Sequence, residues 1–275
     1  MDYAAATPVL IEVRREMEKY FSKEFYNPNA IYTEGLKVRG ELNRYKRKIA
    51  DIMGSRVEGV IFTSGATEAN QIASLSLKRH LDATQLIGYH RLTLESAKCD
   101  SITISSPKIY GPKGIGALIV RHGLDLKTSE RGTPPMSLIA GFTKALEIAV
   151  RDREVERKRL NSLSAMFVEG IKEYRVIQDE PNIINVSVPG ILPELLALAL
   201  EREGVLVSVG RACTSNKPEP EDTPVRFSFG RFTTENEVKE AAKIFCDVVQ
   251  NLLKLNHATF QSFHHQSQRS DQESS

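Results

Sequence analysis

The sequence predicts an α/β protein in which a larger domain with an open sheet is followed by a small α+β domain. Two short apolar runs, SITIS at 101–105 and ALIV at 117–120, bracket a glycine-spaced loop, a pattern typical of neighbouring strands. A third apolar run, at 60–62, leads through Thr-Ser-Gly-Ala-Thr into a helical pattern. From Asn182 onward, short strand-like runs surround one helix, which indicates the small α+β domain.

Helices are predicted where apolar residues recur at helical spacing. One stripe runs from Leu10 to Phe21, and a second helix ends at Gly54, a residue type that commonly follows a helix C-terminus. A long helix is predicted from near Ser137 towards Tyr174, with a break in the charged stretch 151–159. A last helix begins at a capping-box sequence, Thr-Glu-Asn-Glu, at 234–237.

These patterns divide the chain into four parts. Residues 1–15 are predicted to form an N-terminal segment that packs on the small domain, and 16–135 the large domain. Residues 136–256 comprise the long linking helix and the small domain. From 257 onward the chain is polar and aperiodic, which predicts a disordered tail.

The composition excludes several classes of protein. Of 275 residues, 41% are hydrophobic and 26% charged, and the net charge is +2 with basic residues scattered, so no nucleic-acid footprint is expected. Apolar runs are too short to cross a membrane and the first residues lack signal-peptide order, which predicts a cytoplasmic protein. Three cysteines without CxxC spacing argue against a disulfide framework or a metal site.

Three positions are candidates for chemistry, each with a simpler alternative. Lys108 follows a strand, where open α/β sheets place ligands, although it could be a solvated loop lysine. The segment after Phe62 places small hydroxyls at a helix start that could bind an anion, or Ser64 or Thr67 could simply cap the helix. Asp82 ends a short apolar stretch and could equally be an N-cap.

Taken together, eight sequence runs resemble the cysteine desulfurases, pyridoxal-phosphate (PLP) enzymes of the class V aminotransferase group. In chain order they are DYAAATPV, FTSGATEAN, HLDATQ, KIYGPKGIGALIVR, RGTPP, PNIINVSVPGI, VSVGRACTS and VRFSFGRFTTENEV. The resemblance implies a fold-type I PLP-dependent transferase with a truncated mixed, mostly parallel sheet flanked by helices, plus the small C-terminal domain.

The resemblance also implies roles around the cofactor. Lys108 is similar to the lysine that holds PLP as a Schiff base and moves protons. Asp82 resembles the acid that keeps the pyridine nitrogen protonated, and Gln85 the partner of the ring hydroxyl. Thr133 resembles a residue that reaches the cofactor phosphate of the other subunit, which implies a homodimer. Three further residues match the family's phosphate cradle: Ala66, Thr67 and Ser105.

For the substrate, the resemblance points to two residues of the second half. Arg226 is similar to the arginine that binds the substrate carboxylate, although a strand arginine in a surface ion pair is the alternative. Cys213 resembles the persulfide-forming cysteine, whereas Cys246 lies in an apolar stripe and Cys99 has no motif around it. The implied reaction converts L-cysteine to L-alanine and passes sulfur to an acceptor such as an iron–sulfur scaffold or a tRNA-thiolation protein.

The sequence departs from the family because only 71–79 separates FTSGATEAN from HLDATQ. The missing segment normally carries a ring-stacking histidine and an asparagine, which His80 does not replace, and Pro107 stands where the family often has histidine. The family's sheet implies that the retained strands stay contiguous in the order of Val60, Ile119, Ile102 and Leu81, with that of Leu81 at an open edge. Two alternatives therefore stay open: a silent desulfurase remnant that dimerises or binds acceptors, and a selenocysteine lyase or other class V enzyme.

Overall fold

The chain forms two compact units in the computed structural model. Three ranges are described: 1–124, 132–210 and 223–272. One unit comprises residues 6–156, and the other combines residues 1–5 with the chain from Arg157 onward. These boundaries fall at residues 5 and 156, whereas the sequence places them at 15 and 135, because the long helix and the N-terminal segment each contribute to both units.

The unit formed by residues 6–156 contains a four-stranded mixed sheet. Its strands are β1 (Val60–Thr63), β2 (His80–Asp82), β3 (Ser101–Ser105) and β4 (Gly116–Val120). The order is β1-β4-β3-β2, in which β4 is antiparallel to both neighbours and β2 is parallel to β3. The predicted order of the retained strands is therefore confirmed. Within the described ranges β2 is the edge strand beside β3.

Helices flank this sheet. They are α1 (Ile11–Ser22), α2 (Thr33–Met53), α3 (Ala66–Ser76) and the first part of α4 (Met136–Gly170). Ala69 and Ala73 of α3 pack against Leu118 and Val120 of β4, because their small side chains allow helix and sheet to approach. Gly54 ends α2 with a φ of 66°, as its sequence position predicts.

The predicted break in the long helix is wrong. The structure has one continuous helix of 35 residues, α4. Its charged stretch contains no glycine or proline, and arginine, lysine and glutamate are good helix formers, so nothing in it interrupts the backbone hydrogen bonds.

The second unit is built on an antiparallel sheet. Its strands are β5 (Arg175–Glu180), β6 (Ile183–Ser187), β7 (Ser208–Val209) and β8 (Val225–Ser228), in the order β5-β6-β8-β7. Its helices are α5 (Pro193–Arg202) and α6 (Glu235–Gln272). Phe167, Phe227 and Phe245 meet in its core, with ring centroids 4.6 and 5.7 Å apart.

The capping box predicted for the last helix is present. The Thr234 N–H donates to Glu237 Oε2 at 2.7 Å, and the Glu237 N–H donates to Thr234 Oγ1 at 3.3 Å. The tail predicted to be disordered instead extends α6 to Gln272, since no glycine or proline interrupts it and adding residues to an existing helix costs little. Over the described ranges, no helix is both long and apolar enough to span a membrane.

Candidate active site

The ends of three strands share one edge of the larger sheet. β1, β2 and β3 run in the same direction, so whatever follows them lies at that edge. Asp82 is the last residue of β2, and Lys108 ends a single 3-10 turn that directly follows β3. The predicted amine and carboxylate therefore follow adjacent parallel strands, on the same side of the molecule.

Thr7 clamps the turn that carries Lys108. Its hydroxyl donates to the Pro107 carbonyl at 3.0 Å and accepts from the Tyr110 N–H at 2.8 Å. Its own N–H donates to the same Pro107 carbonyl at 3.0 Å. Thr7 is buried, so these bonds fix both sides of the half-buried Lys108. Sequence reasoning missed this role, although Thr7 lies inside the matched run DYAAATPV.

The three predicted phosphate-binding residues converge on Gly116. Thr63 of β1 and Ser105 of β3 both pair with Gly116, one on each side of β4. A Cβ at Gly116 would lie 3.0 Å from the carbonyl carbon of Gly65, so the loop that starts α3 packs directly on this row. Ala66 and Thr67 open α3 at that point, and Ser105 is buried beside them.

The start of α3 has a cap, but a different one from that expected. Glu68 Oε2 accepts from the Ser64 N–H at 2.6 Å and from the Ser64 hydroxyl at 2.7 Å. These two bonds lower the pKa of Glu68. The N-cap residue, Gly65, makes no side-chain cap bond, so the N–H groups of Ala66 and Thr67 keep the orientation that suits an anion.

Asp82 is held by a polar network that the sequence did not reveal. Asn70 Nδ2 donates to Asp82 Oδ2 at 2.8 Å, and the Thr84 N–H donates to Asp82 Oδ1 at 3.0 Å. The Asn70 amide oxygen lies 3.0 Å from His80 Nε2, and His80 Nδ1 lies 2.8 Å from Ser101 Oγ. Asn70 is thus the positioning residue for Asp82, and its only sequence signal is its place in FTSGATEAN.

The environment of His80 favours its neutral form. Burial lowers the pKa of His80, although the Asp82 carboxylate and a hydrogen bond with Ser101 act in the opposite direction. His80 is therefore favoured as a neutral hydrogen-bond partner of Asn70 and Ser101 rather than as a cation.

The remaining predicted residues have different outcomes. Gln85 is half-buried in the turn after β2, and Thr133 is exposed three residues before α4. Cys213 lies outside the described residues, so its role rests on the sequence alone.

In the other unit, Arg226 lies on β8 and is buried, and it takes part in an ion pair, as the alternative interpretation of a strand arginine expects, although away from the surface. Its partner is the Asp2 carboxylate, with Nη2 and Oδ1 3.4 Å apart. Sequence reasoning missed Asp2 as well, because the two residues are 224 positions apart in the chain.

A mixed sheet whose strand ends bring together a lysine, a carboxylate and a helix start suited to an anion is the arrangement expected of an α/β enzyme of the PLP type. The chain belongs to the aminotransferase class-V family, whose model matches residues 1–81, 78–129 and 126–241. The predicted family is therefore confirmed.

Curated relatives of this chain include cysteine desulfurases. The chain is 25% identical to cysteine desulfurase IscS of Dictyoglomus turgidum over 374 positions, which cover 92% of this chain and 94% of the relative. That alignment is longer than this chain of 275 residues, so it contains gaps on this side, in agreement with an internal deletion. IscS of Salmonella arizonae is 32% identical over 83% of this chain and 64% of its own length. In the match to IscS of an Enterobacter species, 35% identical, the chain spans about half of the relative, 51%.

Solved structures share the fold. A NifS-like protein from Rickettsia africae superposes with a TM-score of 0.81 at 16% identity, covering 90% of this chain and 98% of that one. An apo cysteine desulfurase from Thermococcus onnurineus gives a TM-score of 0.77 at 16% identity, with 91% and 94% coverage. Because both identities are 16%, these structures establish the fold alone, and it is the predicted fold-type I class.

The donor set of this edge fits PLP. The N–H groups of Ala66 and Thr67 at the start of α3 suit a phosphate, the Asp82 carboxylate suits a protonated pyridine nitrogen, and the Lys108 amine suits an aldehyde. Because Gly116 has no side chain, nothing projects from this position of β4 towards the Gly65 backbone at the start of α3. Among the described residues no cluster of three metal-ligating side chains occurs.

Proposed function

We propose that this chain is a PLP-dependent cysteine desulfurase, which converts L-cysteine to L-alanine and carries the sulfur as a persulfide on Cys213. The observation that carries the proposal is the placement of Lys108 and Asp82 after adjacent parallel strands, on one edge of a class V fold. The cysteine desulfurases among its relatives support the choice of substrate.

Each residue has a distinct task in this proposal. The Lys108 amine holds the cofactor covalently and later takes the α-proton of the substrate. Asp82, oriented by Asn70, would keep the pyridine nitrogen of the cofactor protonated. The chemistry that PLP would supply there is an electron sink for the pair left at the α-carbon. Arg226 binds the substrate carboxylate through its planar guanidinium.

The sulfur step requires a thiolate, and the other two cysteines are unsuited to it. Burial raises the pKa values of Cys99 and Cys246, so both stay protonated near neutral pH. We assign the reacting thiol to Cys213, because its run VSVGRACTS resembles that of the family's persulfide-forming cysteine. The Cys213 thiolate attacks the substrate sulfur and forms the S–S bond of the persulfide, while the carbon–sulfur bond breaks with its electron pair left on the β-carbon. The β-carbon takes up a proton, Lys108 returns the α-proton, and alanine leaves.

The first test is whether Lys108 forms an imine. PLP added to the wild type is expected to produce the visible absorption band of a lysine–cofactor imine, and Lys108→Ala should abolish it. Lys113→Ala is the matched control, because Lys113 is an exposed lysine of the same loop. A wild type without the band, or a Lys108→Ala variant that keeps it, would contradict the proposal and favour a silent remnant.

The second test follows sulfur. Alanine and sulfide release from L-cysteine is expected to be lost in Cys213→Ser and retained in Cys246→Ser. Equal release from both variants would remove Cys213 from the mechanism. A clear preference for L-selenocysteine over L-cysteine would identify a selenocysteine lyase instead.

Three further features belong to the proposal. Thr133 is exposed, as a residue that serves the site of a second subunit must be, which supports a homodimer. We also propose a cytoplasmic location and an acceptor protein for the persulfide, of the iron–sulfur scaffold or tRNA-thiolation type. Size-exclusion chromatography with light scattering tests the dimer, and a monomeric mass would refute it.

A further inference from the structure

The first residues of the chain are bound to β8. The Ser228 N–H donates to the Met1 carbonyl at 3.0 Å, and the Tyr3 N–H donates to the Ser228 carbonyl at 3.3 Å. The Ala4 N–H donates to Ser228 Oγ at 2.9 Å. Asp2 and Ser228 thus form a parallel bridge, and the backbone of Asp2 is fixed beside the strand that carries Arg226.

The Asp2 carboxylate is anchored by hydroxyl groups as well as by the arginine. Its Oδ2 accepts from Ser208 Oγ at 2.7 Å, and its Oδ1 lies 3.5 Å from Ser228 Oγ. Ser208 pairs directly with Arg226 across the sheet, so both side chains project from the same face. The carboxylate therefore has a defined position even without Arg226.

The guanidinium of Arg226 is only partly used by Asp2. One nitrogen, Nη2, lies 3.4 Å from Oδ1, whereas Nε is buried with no hydrogen-bond partner among the described residues. Arg226 itself is 8% exposed. Leaving an N–H of a buried cation unpaired is costly, and a ligand that supplies an acceptor removes the cost. Asp2 thus contacts Nη2 of the guanidinium and leaves the Nε–H available to a second carboxylate.

We infer that Asp2 is a positioning residue for substrate binding: it holds the Arg226 guanidinium in one orientation and so presets the donors that bind the α-carboxylate of the amino acid substrate. This inference rests on the proposed function. Substrate binding does not require Asp2 to leave Arg226, because the Asp2 backbone is bonded to β8 and its second carboxylate oxygen is bound to Ser208. A preset arginine loses less conformational entropy when the substrate binds.

Kinetics of Asp2→Asn test the inference. We expect KM for L-cysteine to rise about tenfold with kcat little changed, since one hydrogen bond to a charged group corresponds to roughly that factor. Asp2→Glu, which keeps the carboxylate, should recover part of the loss. L-cysteine methyl ester has no carboxylate, so its KM should not respond to Asp2→Asn. Glu169→Gln, at an exposed ion pair on α4, is the matched acid-to-amide control.

An unchanged KM for L-cysteine in Asp2→Asn, or an equal rise with the methyl ester, would overturn the inference. A fall in kcat alone would do the same. These outcomes differ from failure of the proposed function, which is an inactive wild type.

The coupling between Asp2 and Arg226 can also be measured without enzymatic turnover. Asp2→Asn, Arg226→Gln and the double variant are compared by urea unfolding of the full chain. We expect the double variant to unfold at a higher urea concentration than the summed single effects predict, because the second substitution removes an interaction already lost. Strictly additive effects would show that the two side chains are uncoupled, and would end the inference whether or not the enzyme turns over.

Discussion

Adding one methyl group at Gly116 is predicted to weaken both the larger unit and its cofactor site. A Cβ there would lie 2.9 Å from the Ile104 carbonyl oxygen and 3.0 and 3.2 Å from the carbonyl carbon and Cα of Gly65. These are backbone atoms that cannot rotate away, so the segments must separate by several tenths of an ångström. Overpacking of this kind costs about 1–3 kcal/mol. The effect is purely steric, since Gly116 has no positive φ.

The displaced atoms determine the expected phenotype of Gly116→Ala. Gly65 precedes Ala66, whose N–H belongs to the anion site, so the shift moves donors away from the cofactor phosphate. We expect the melting temperature to fall by about 2–4 °C for each kcal/mol lost. We expect PLP to bind about tenfold more weakly, which corresponds to roughly 1.4 kcal/mol. Thermal unfolding and a PLP absorbance titration measure the two effects.

Gly40→Ala is the matched control, because it should shift stability in the opposite direction. Gly40 is exposed inside α2, and a Cβ there meets nothing within 4 Å. Alanine at such a position stabilises by about 0.5–1 kcal/mol through helix propensity. If Gly116→Ala left PLP affinity and the melting temperature unchanged while Gly40→Ala raised the melting temperature, the packing argument for Gly116 would be refuted.

Three further substitutions address the larger unit. Thr7→Val should lower the free energy of unfolding by about 1–3 kcal/mol, because it removes both hydrogen bonds of the buried Thr7 hydroxyl; an unchanged urea midpoint would contradict the clamp. Asn70→Ala should weaken PLP binding while costing about 1 kcal/mol of stability or less, since Asp82 is exposed; unchanged affinity in a PLP titration would show that Asp82 needs no positioning. His80 has a lowered pKa, so the unfolded chain binds more protons just below pH 6.5 and stability should fall as the pH drops through that value. His80→Gln should flatten this part of the stability curve, and a curve identical to that of the wild type would contradict the assignment.

Much of the architecture was accessible from local sequence patterns. Helix ends such as Gly54 and the capping box at Thr234 depend on interactions within a few residues, so they were predicted correctly. The order of the four strands followed once the family resemblance supplied the connections. β5 was not predicted, because RVIQDE directly follows the long helix and shows little apolar alternation.

The outcome for the site divides in the same way. Lys108, Asp82 and Ala66 were identified because their motifs lie at the ends of strands or the start of a helix, and such positions are visible in sequence. Thr7 and Asn70 were missed, because each acts through a partner elsewhere in the chain.

By itself, the sequence determined most of the segments that become helices or strands, with β5 as an exception, and also the family of the chain and the residue types able to hold PLP, since these depend on short runs of residues. Tertiary structure alone decided which side chains orient the reactive ones: Thr7 on the Lys108 turn 100 residues away, and Asp2 on Arg226. The physical reason is that a hydrogen bond depends on distances and angles in space. When its two residues are far apart in the chain, the residues next to each of them in sequence do not indicate the contact.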